Sequence, residues 1–437
     1  MSGSRNSEKV IHVYNILFSL GGGLVLPLLL AQTLALKKRR ATVLKRLGAG
    51  FRAPRFDTRA IWIHALSVGE VFASVPLVQR IRRSYPDRPV VFSVSTMTGN
   101  EIARKLLSRD VDHIFYFPYD FIWSVRRVVD GIDPAIFVLV ESDIWPNFLF
   151  ELRKREIATV LVNGRMSPGS FFGYKAVSFF MRSVFGTMSM ICVQSPADAE
   201  LFQAVGAPAD RVRVTGNIKF DHEVHAILDD ELESLKQSMK IPAHGRILLA
   251  GSTHEGEEAI LLNVFAQLRK RFDDIVLLVV PRNPERASAV RDLFASSGWS
   301  AATTGNMKNV SPGAVFDVVV VDTMGMLRQL YALADISFVG GSLVKEGGHN
   351  PLEPAAFSKP IIFGPDMTDF PGIAEMLTNS GGAVQVKGGE EFIEAATTLL
   401  ADSGRARLMG EQAFSVFQNN KGAVDRTLEV IQQFLSH

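Results

Sequence analysis

Cysteine is almost missing from this sequence, with Cys192 standing alone among 437 residues. A single cysteine forms no internal disulfide and no cysteine-based zinc site, and it is compatible with a reducing compartment. An excess of charge is missing as well. Lys and Arg number 47 and Asp and Glu 45, a formal net charge of +2, which gives no electrostatic sign of a nucleic-acid binder. Low-complexity tracts and clear internal repeats are absent. With 47% hydrophobic and 21% charged residues, a disordered or fibrous chain is excluded. Long apolar runs are absent except for one, which excludes a polytopic membrane protein. No Gly-x-Gly-x-x-Gly follows an apolar strand, no turn ends in the Gly-Lys-Ser/Thr of a Walker motif, and no Gly-x-Ser-x-Gly elbow occurs.

The one long run extends from Val10 to Leu36 and contains no acidic or basic residue except His12. At the rise of a helix it is long enough to cross a hydrocarbon core of about 30 Å. Asn15, Gly21, Gly22, Gly23 and Pro27 are blemishes in it; the glycines and the proline weaken a soluble helix, and membrane helices tolerate those two residue types better. Lys37, Lys38, Arg39, Arg40, Lys45 and Arg46 follow directly. That asymmetry predicts residues 1–36 as an N-terminal membrane anchor, with the rest of the chain on the cytoplasmic side. It is opposite to a cleavable signal peptide. The basic cluster is expected to lie against anionic headgroups. The alternative is a buried or interfacial helix on the globular body.

Beyond it, short apolar runs alternate with amphipathic stretches. Ala60–Leu66, Val90–Val94, His113–Phe117, Ile136–Val140, Thr159–Val162, Met190–Val193 and Arg213–Thr215 read as strands of a first half. Ile247–Ala250, Ile275–Val280, Phe316–Val321, Ile336–Val339 and Pro360–Phe363 read as strands of a second. Helical patterns between them predict parallel sheets, hence an α/β fold of two doubly wound, Rossmann-like domains facing a cleft. The charged stretch near residue 230 sets their boundaries at 37–228 and 229–437, and Arg405–Leu435 reads as one or two amphipathic helices.

Ligands of such sheets bind at the carboxyl ends of strands, and that rule selects the candidates. In His64-Ala-Leu-Ser-Val-Gly-Glu70 the strand ends near Leu66, Ser67 can cap a helix and Glu70 falls in its first turn. Glu70 is either a general base or a partner of the helix dipole. Glu141 and Asp143 follow the strand at Val138–Val140, and Pro146 suits a helix start. Lys219 in Gly216-Asn-Ile-Lys-Phe-Asp221 can hold an anion or simply be a solvated turn lysine. Ser252 and Thr253 sit in a small-residue turn between a strand and a helix, where amides and the helix dipole favour an anion. Arg282 ends an apolar strand and suits bidentate phosphate or carboxylate contact. Gly340-Gly341-Ser342 and Gly347-Gly348-His349-Asn350-Pro351-Leu352-Glu353 form a glycine-rich loop opening a helix. Glu353 there can accept hydrogen bonds from both hydroxyls of a ribose. Asp110-Val-Asp112 has the spacing of a metal-binding acidic pair but precedes its strand, at the wrong end of the sheet. His222 and His225 are one residue too close for a zincin helix.

The ordered set HALSVGE, VLVESDIWPN, VNGRMS, GNIKFD, AGSTHEGEE, VVPRNPER and GGHNPLEP resembles the 3-deoxy-D-manno-octulosonic acid (Kdo) transferases of lipopolysaccharide synthesis. The resemblance covers most of the chain and is far more specific than any single piece. It implies a GT-B glycosyltransferase fold with the C-terminal helices packing back on the N-terminal domain. It implies CMP-Kdo as donor, a lipid A precursor as acceptor, inversion at the anomeric carbon, and no metal or other cofactor. The N-terminal domain is then the acceptor side and the C-terminal domain the donor side. By the resemblance Glu70 is the base, and Glu141 and Lys219 are active-site residues. Ser252, Thr253, Arg282, Gly341, Asn350 and Glu353 belong to the donor site. The expected partners are CMP-Kdo, the lipid A precursor and inner-membrane lipids, and the expected location is the cytoplasmic face of the inner membrane. The alternatives are a GT-B transferase using another nucleotide sugar and a non-catalytic, membrane-tethered sugar-binding protein.

Overall fold

A computed structural model describes residues 14–15, 37–141, 143–222, 227–309, 311 and 313–435. The expected anchor, Val10–Leu36, therefore lies outside the described residues except for Tyr14 and Asn15. Among the described residues no helix is long and apolar enough to cross a membrane.

The first unit holds seven parallel strands: β1 (Ala60–Ala65), β2 (Val90–Val94), β3 (His113–Tyr116), β4 (Pro134–Val140), β5 (Ala158–Gly164), β6 (Met190–Val193) and β7 (Val212–Val214). Their spatial order is β3-β2-β1-β4-β5-β6-β7. Strands β1, β2 and β4 are apolar and almost wholly buried, as expected where helices cover both faces. One face packs an aromatic cluster in which Trp62 meets Phe115, Phe117, Phe137 and Phe148 with ring centroids 5.1–6.1 Å apart. Burying each such ring stabilises the fold by roughly 1.5–3 kcal/mol.

The second unit has seven parallel strands as well: β8 (Arg246–Thr253), β9 (Ile275–Pro281), β10 (Ala301–Thr303), β11 (Val318–Val320), β12 (Ile336–Val339), β13 (Ile361–Phe363) and β14 (Ala383–Gln385). Their order is β10-β11-β9-β8-β12-β13-β14. The edge strands β10 and β14 escape the sequence reading because three-residue runs carry too little periodicity.

Chain contacts divide the molecule at residues 223/224 and 420/421, so Lys421–His437 group with the first unit. There the helix Ala423–Gln432 follows Gly422. Asp221 accepts the Gly422 and Val424 amides at 2.6 and 2.5 Å and so caps that helix from outside it. Arg80 pairs with Asp425 at 2.8 Å, and Arg426 Nε donates to the Thr215 carbonyl at 2.8 Å.

In each sheet the strand order reverses at one point. In the first the chain leaves β1 for β2 on one side and reaches β4 on the other; in the second β9 and β12 flank β8 in the same way. Such switch points open a crevice at the carboxyl ends of the strands.

Candidate functional site

Glu70 follows β1 at the first switch point. Ser67 has extended backbone (φ −121°, ψ 170°) and its Oγ accepts the Glu70 N–H at 3.4 Å, which starts the helix Val68–Ser84. The Glu70 carboxylate turns back to accept the Leu66 N–H at 2.6 Å. Only 7% of Glu70 is exposed. Burial, reinforced by the charges of Glu141 and Asp143, pushes its carboxyl up to about 8, while the Leu66 amide and Lys219 act the other way. A partner of the helix dipole alone would be stabilised as an anion. Glu70 is instead a carboxyl of high proton affinity, suited to taking a proton from a hydroxyl.

Glu141 follows β4. Its φ of +62° is unusual for a residue with a side chain, and Asn163 at the end of β5 has φ +57°. Such backbone is costly and persists where surrounding bonds enforce it. The Glu141 N–H donates to the Val162 carbonyl at 2.9 Å. Its Oε1 receives Lys219 Nζ at 3.1 Å and Asn163 Nδ2 at 3.3 Å. Asn163 Oδ1 accepts the Ile218 N–H at 3.0 Å, which fixes the short turn Ile218–Asp221 that carries Lys219. The three residues expected from sequence, Glu70, Glu141 and Lys219, are thus brought together from three separate segments.

Asp143 takes a different part. His64, wholly buried in β1, places Nε2 at 2.9 Å from Asp143 Oδ2, and Ser95 Oγ donates to the same oxygen at 3.3 Å. Burial would raise the Asp143 carboxyl, but these bonds outweigh it and hold the group below the usual range. Trp62 Nε1 donates to Ser93 Oγ at 2.7 Å, and that hydroxyl lies 2.9 Å from His64 Nδ1. A buried chain of polar groups therefore runs across the end of the sheet.

Arg46 corrects part of the expected basic cluster. Its guanidinium turns inward, donating to the Phe117 carbonyl at 3.0 Å and the Ser95 carbonyl at 3.3 Å, and it lies 4.1 Å from the Tyr119 ring centroid. It is committed to the carboxyl end of the sheet and is not free to meet headgroups. The acidic pair Asp110/Asp112 is explained as well, since Asp112 accepts Arg82 Nη2 at 2.5 Å and the Val90 amide at 2.8 Å. Among the described residues no group of His, Cys, Asp and Glu could hold a metal ion.

In the second unit Ser252 and Thr253 end β8, and Gly340–Ser342 follow β12, both beside the second switch point. The anion expected at this turn is supplied by the chain. Glu257, wholly buried at the start of the helix Glu257–Arg269, accepts the amides of His254, Gly341, Ser342 and Leu343 at 2.8–3.1 Å. The Gly341 N–H is therefore taken, and the glycine is required for shape. It has φ +71°, and a Cβ there would stand 3.2 Å from the His349 ring. Thr253 is committed too, its Oγ1 donating to Glu258 at 3.0 Å. Asn350 Oδ1 accepts the Leu352 amide at 3.1 Å and so starts the short helix that carries Glu353.

Arg282 is exposed at the end of β9, its backbone N–H held by the Thr253 carbonyl at 2.9 Å. Its charge acts on both His349 and Glu353. Burial pushes the Glu353 carboxyl up, and Arg328 and Arg282 hold it back. Tyr331 lies alongside with its hydroxyl against Gly251, where a Cβ would meet it at 2.2 Å. A mixed set of charges thus gathers from β9, the glycine-rich loop and the helix Leu327–Leu333. Arg328 and Tyr331 carry no sequence signal, because an arginine and a tyrosine on an ordinary helix are not distinctive. Glu257 and His254 lay within a motif already singled out, and acidic residues directly after a small-residue turn were the available sign.

A family model for 3-deoxy-D-manno-octulosonic-acid transferase (kdotransferase) matches residues 38–222. A 3-deoxy-D-manno-octulosonic acid transferase of Haemophilus influenzae is 34% identical over 378 residues, covering 86% of this chain and 87% of that protein. Its counterpart in Rickettsia felis is 33% identical over 377 residues, covering 86% of this chain and 79% of that protein. The crystal structure of a glycosyltransferase from Rickettsia africae is similar in fold, with a TM-score of 0.58 at 14% identity over 87% of this chain and 100% of that one. By its sequence likeness over most of its length, together with two parallel sheets of GT-B type, the chain belongs to the family of 3-deoxy-D-manno-octulosonic acid transferases.

Proposed function

We propose that the protein transfers Kdo from CMP-Kdo to a lipid A precursor in lipopolysaccharide synthesis, inverting the anomeric carbon. The observation that carries this reading is the buried Glu70 carboxyl, raised to about 8 beside the Glu141–Lys219 pair at the first switch point. Glu70 takes the acceptor hydroxyl's proton as the oxygen attacks the anomeric carbon. The bond to the CMP phosphate breaks and its electron pair leaves with the phosphate. Lys219 and Glu141 orient the acceptor and set the electrostatics around the base. Arg282 stabilises the charge growing on the leaving phosphate, and Glu353 binds the ribose hydroxyls. Ser252, Thr253, Gly341 and Asn350 shape the donor loop.

The first unit, which takes in residues 421–437, is then the acceptor side, and the second, residues 224–420, the donor side. The boundaries 37–228 and 229–437 read from the charged stretch therefore shift by a few residues and lose the last helix to the first unit. The cations and helix N-termini suffice for the leaving group, so the reaction is assigned as metal-independent, and activity unaffected by EDTA is the expected result. The 1–36 segment is assigned as the anchor that keeps the body on the cytoplasmic face of the inner membrane, supported by its apolar run and the lysines and arginines after it. Incubation with CMP-Kdo, generated in place, and a lipid A precursor, followed by mass spectrometry of the lipid, tests the function. A folded enzyme that adds no Kdo would overturn it.

A further inference from the structure

We propose that His254 and His349 form a proton-uptake pair that is charged when the anionic donor binds and discharged when CMP leaves. The inference rests on the second unit being the donor side. The two imidazoles meet Nε2 to Nε2 at 2.8 Å, with centroids 5.1 Å apart and planes 15° from parallel. A contact between two such nitrogens needs one proton, so one ring donates and the other presents its lone pair.

The surroundings decide where a second proton goes. His254 Nδ1 faces the Glu346 carboxylate at 3.8 Å, while the buried Glu257 holds the His254 backbone amide. His349 has the Arg282 charge near it and sits over Gly341. Arg282 links it in turn to Glu353, which Arg328 also serves. Asp366 and Asp369 line the other side of the Gly347–Gly348 turn. Burial, the Arg282 cation and the neighbouring His254 hold the His349 imidazole down to about 4, so His349 stays neutral.

The single negative charge of a phosphodiester placed on Arg282 offsets that cation. The pair then takes one proton from solvent. His254 accepts it and becomes doubly protonated, with Nε2–H directed to His349 and Nδ1–H directed to Glu346. His349 must then accept at Nε2 and carry its own proton at Nδ1. Donor binding thereby fixes one tautomer of His349 and adds a positive charge where the leaving phosphate gains negative charge. Release of CMP returns the proton to solvent, and no bond other than N–H is made or broken.

The test is isothermal calorimetry on the full chain in detergent near pH 7, with the methyl ester of CMP as probe. That diester has no phosphate group titrating in this range. Binding enthalpies in two buffers of different ionisation enthalpy give the protons exchanged. The expected result is uptake of between about a half and one proton per ligand. His349→Gln and His254→Gln should bind about tenfold more weakly, about 1.4 kcal/mol, with no uptake. Glu346→Gln, at an exposed position, should keep binding and lower the uptake, which guards against misfolded histidine variants. Binding by the wild type without buffer dependence overturns the proposal alone, as does uptake retained in both histidine variants. No binding by the wild type overturns the donor-side reading and the proposal with it.

Discussion

Lys219 Nζ lies 3.1 Å from Glu141 Oε1, and the two charges act on Glu70 in opposite directions. Glu141 raises the proton affinity of Glu70 and Lys219 lowers it, so the pair tunes a carboxyl whose proton affinity burial has already raised.

Glu70→Gln is predicted to lower turnover by about 10²–10⁴-fold, the usual range for a general base, with little change in CMP affinity. Steady-state kinetics with a CMP titration check this. Near-normal turnover would remove Glu70 as the base.

The pH profile should follow the Glu70 carboxyl. Its active form is the anion, so kcat/KM should rise with pH and level off above about 8. Lys219→Met should move that limb to higher pH and Glu141→Gln to lower pH. A limb unmoved in both variants would show that neither charge governs Glu70.

Stability carries the same signature. Folded Glu70 binds its proton more tightly than an unfolded glutamate, so its contribution is complete below the unfolded value, about 4.3. It is lost as pH rises towards about 8. Thermal melts should show wild type losing stability across that window and Glu70→Gln losing less. Parallel curves would count against a buried, protonated Glu70.

Glu257→Gln should cost about 1–3 kcal/mol, because an amide cannot accept four N–H groups as the carboxylate does, and its own NH2 meets donors. Donor affinity should fall with it, since the glycine-rich loop loses its clasp. Differential scanning calorimetry and CMP binding measure the two effects, and unchanged values for both would reject the clasp.

Asp221→Ala should destabilise by a similar amount of about 1–3 kcal/mol, by freeing the Gly422 and Val424 amides. It should also slow turnover, because the turn carrying Lys219 is held at Asp221. A variant of lowered melting temperature but unchanged kcat at low temperature would separate Lys219 from that cap.

Much of the fold was legible in the chain. Apolar strand runs and caps such as Ser67 are local signals, and β2, β6 and β12 begin and end where the sequence reading puts them. The positions of Glu70, Glu141, Lys219 and Arg282 beyond the carboxyl ends of strands were legible in the same way. Less was legible of what each group touches. The small-residue turn after β8 reads as an open anion site, yet Glu257 fills it from within. Arg46 reads as part of a membrane-facing cluster, yet its guanidinium serves carbonyls after β2 and β3.

The sequence by itself determined the α/β alternation, the family resemblance and which residue types stand at strand ends, because periodicity and spacing are properties of neighbours along the chain. Only the tertiary structure decided the raised proton affinity of Glu70, the Glu141–Lys219 pair and the meeting of His254 with His349. Those depend on burial and on distances between segments far apart in sequence, and electrostatic energy is set by distance and dielectric surroundings, which no linear spacing encodes.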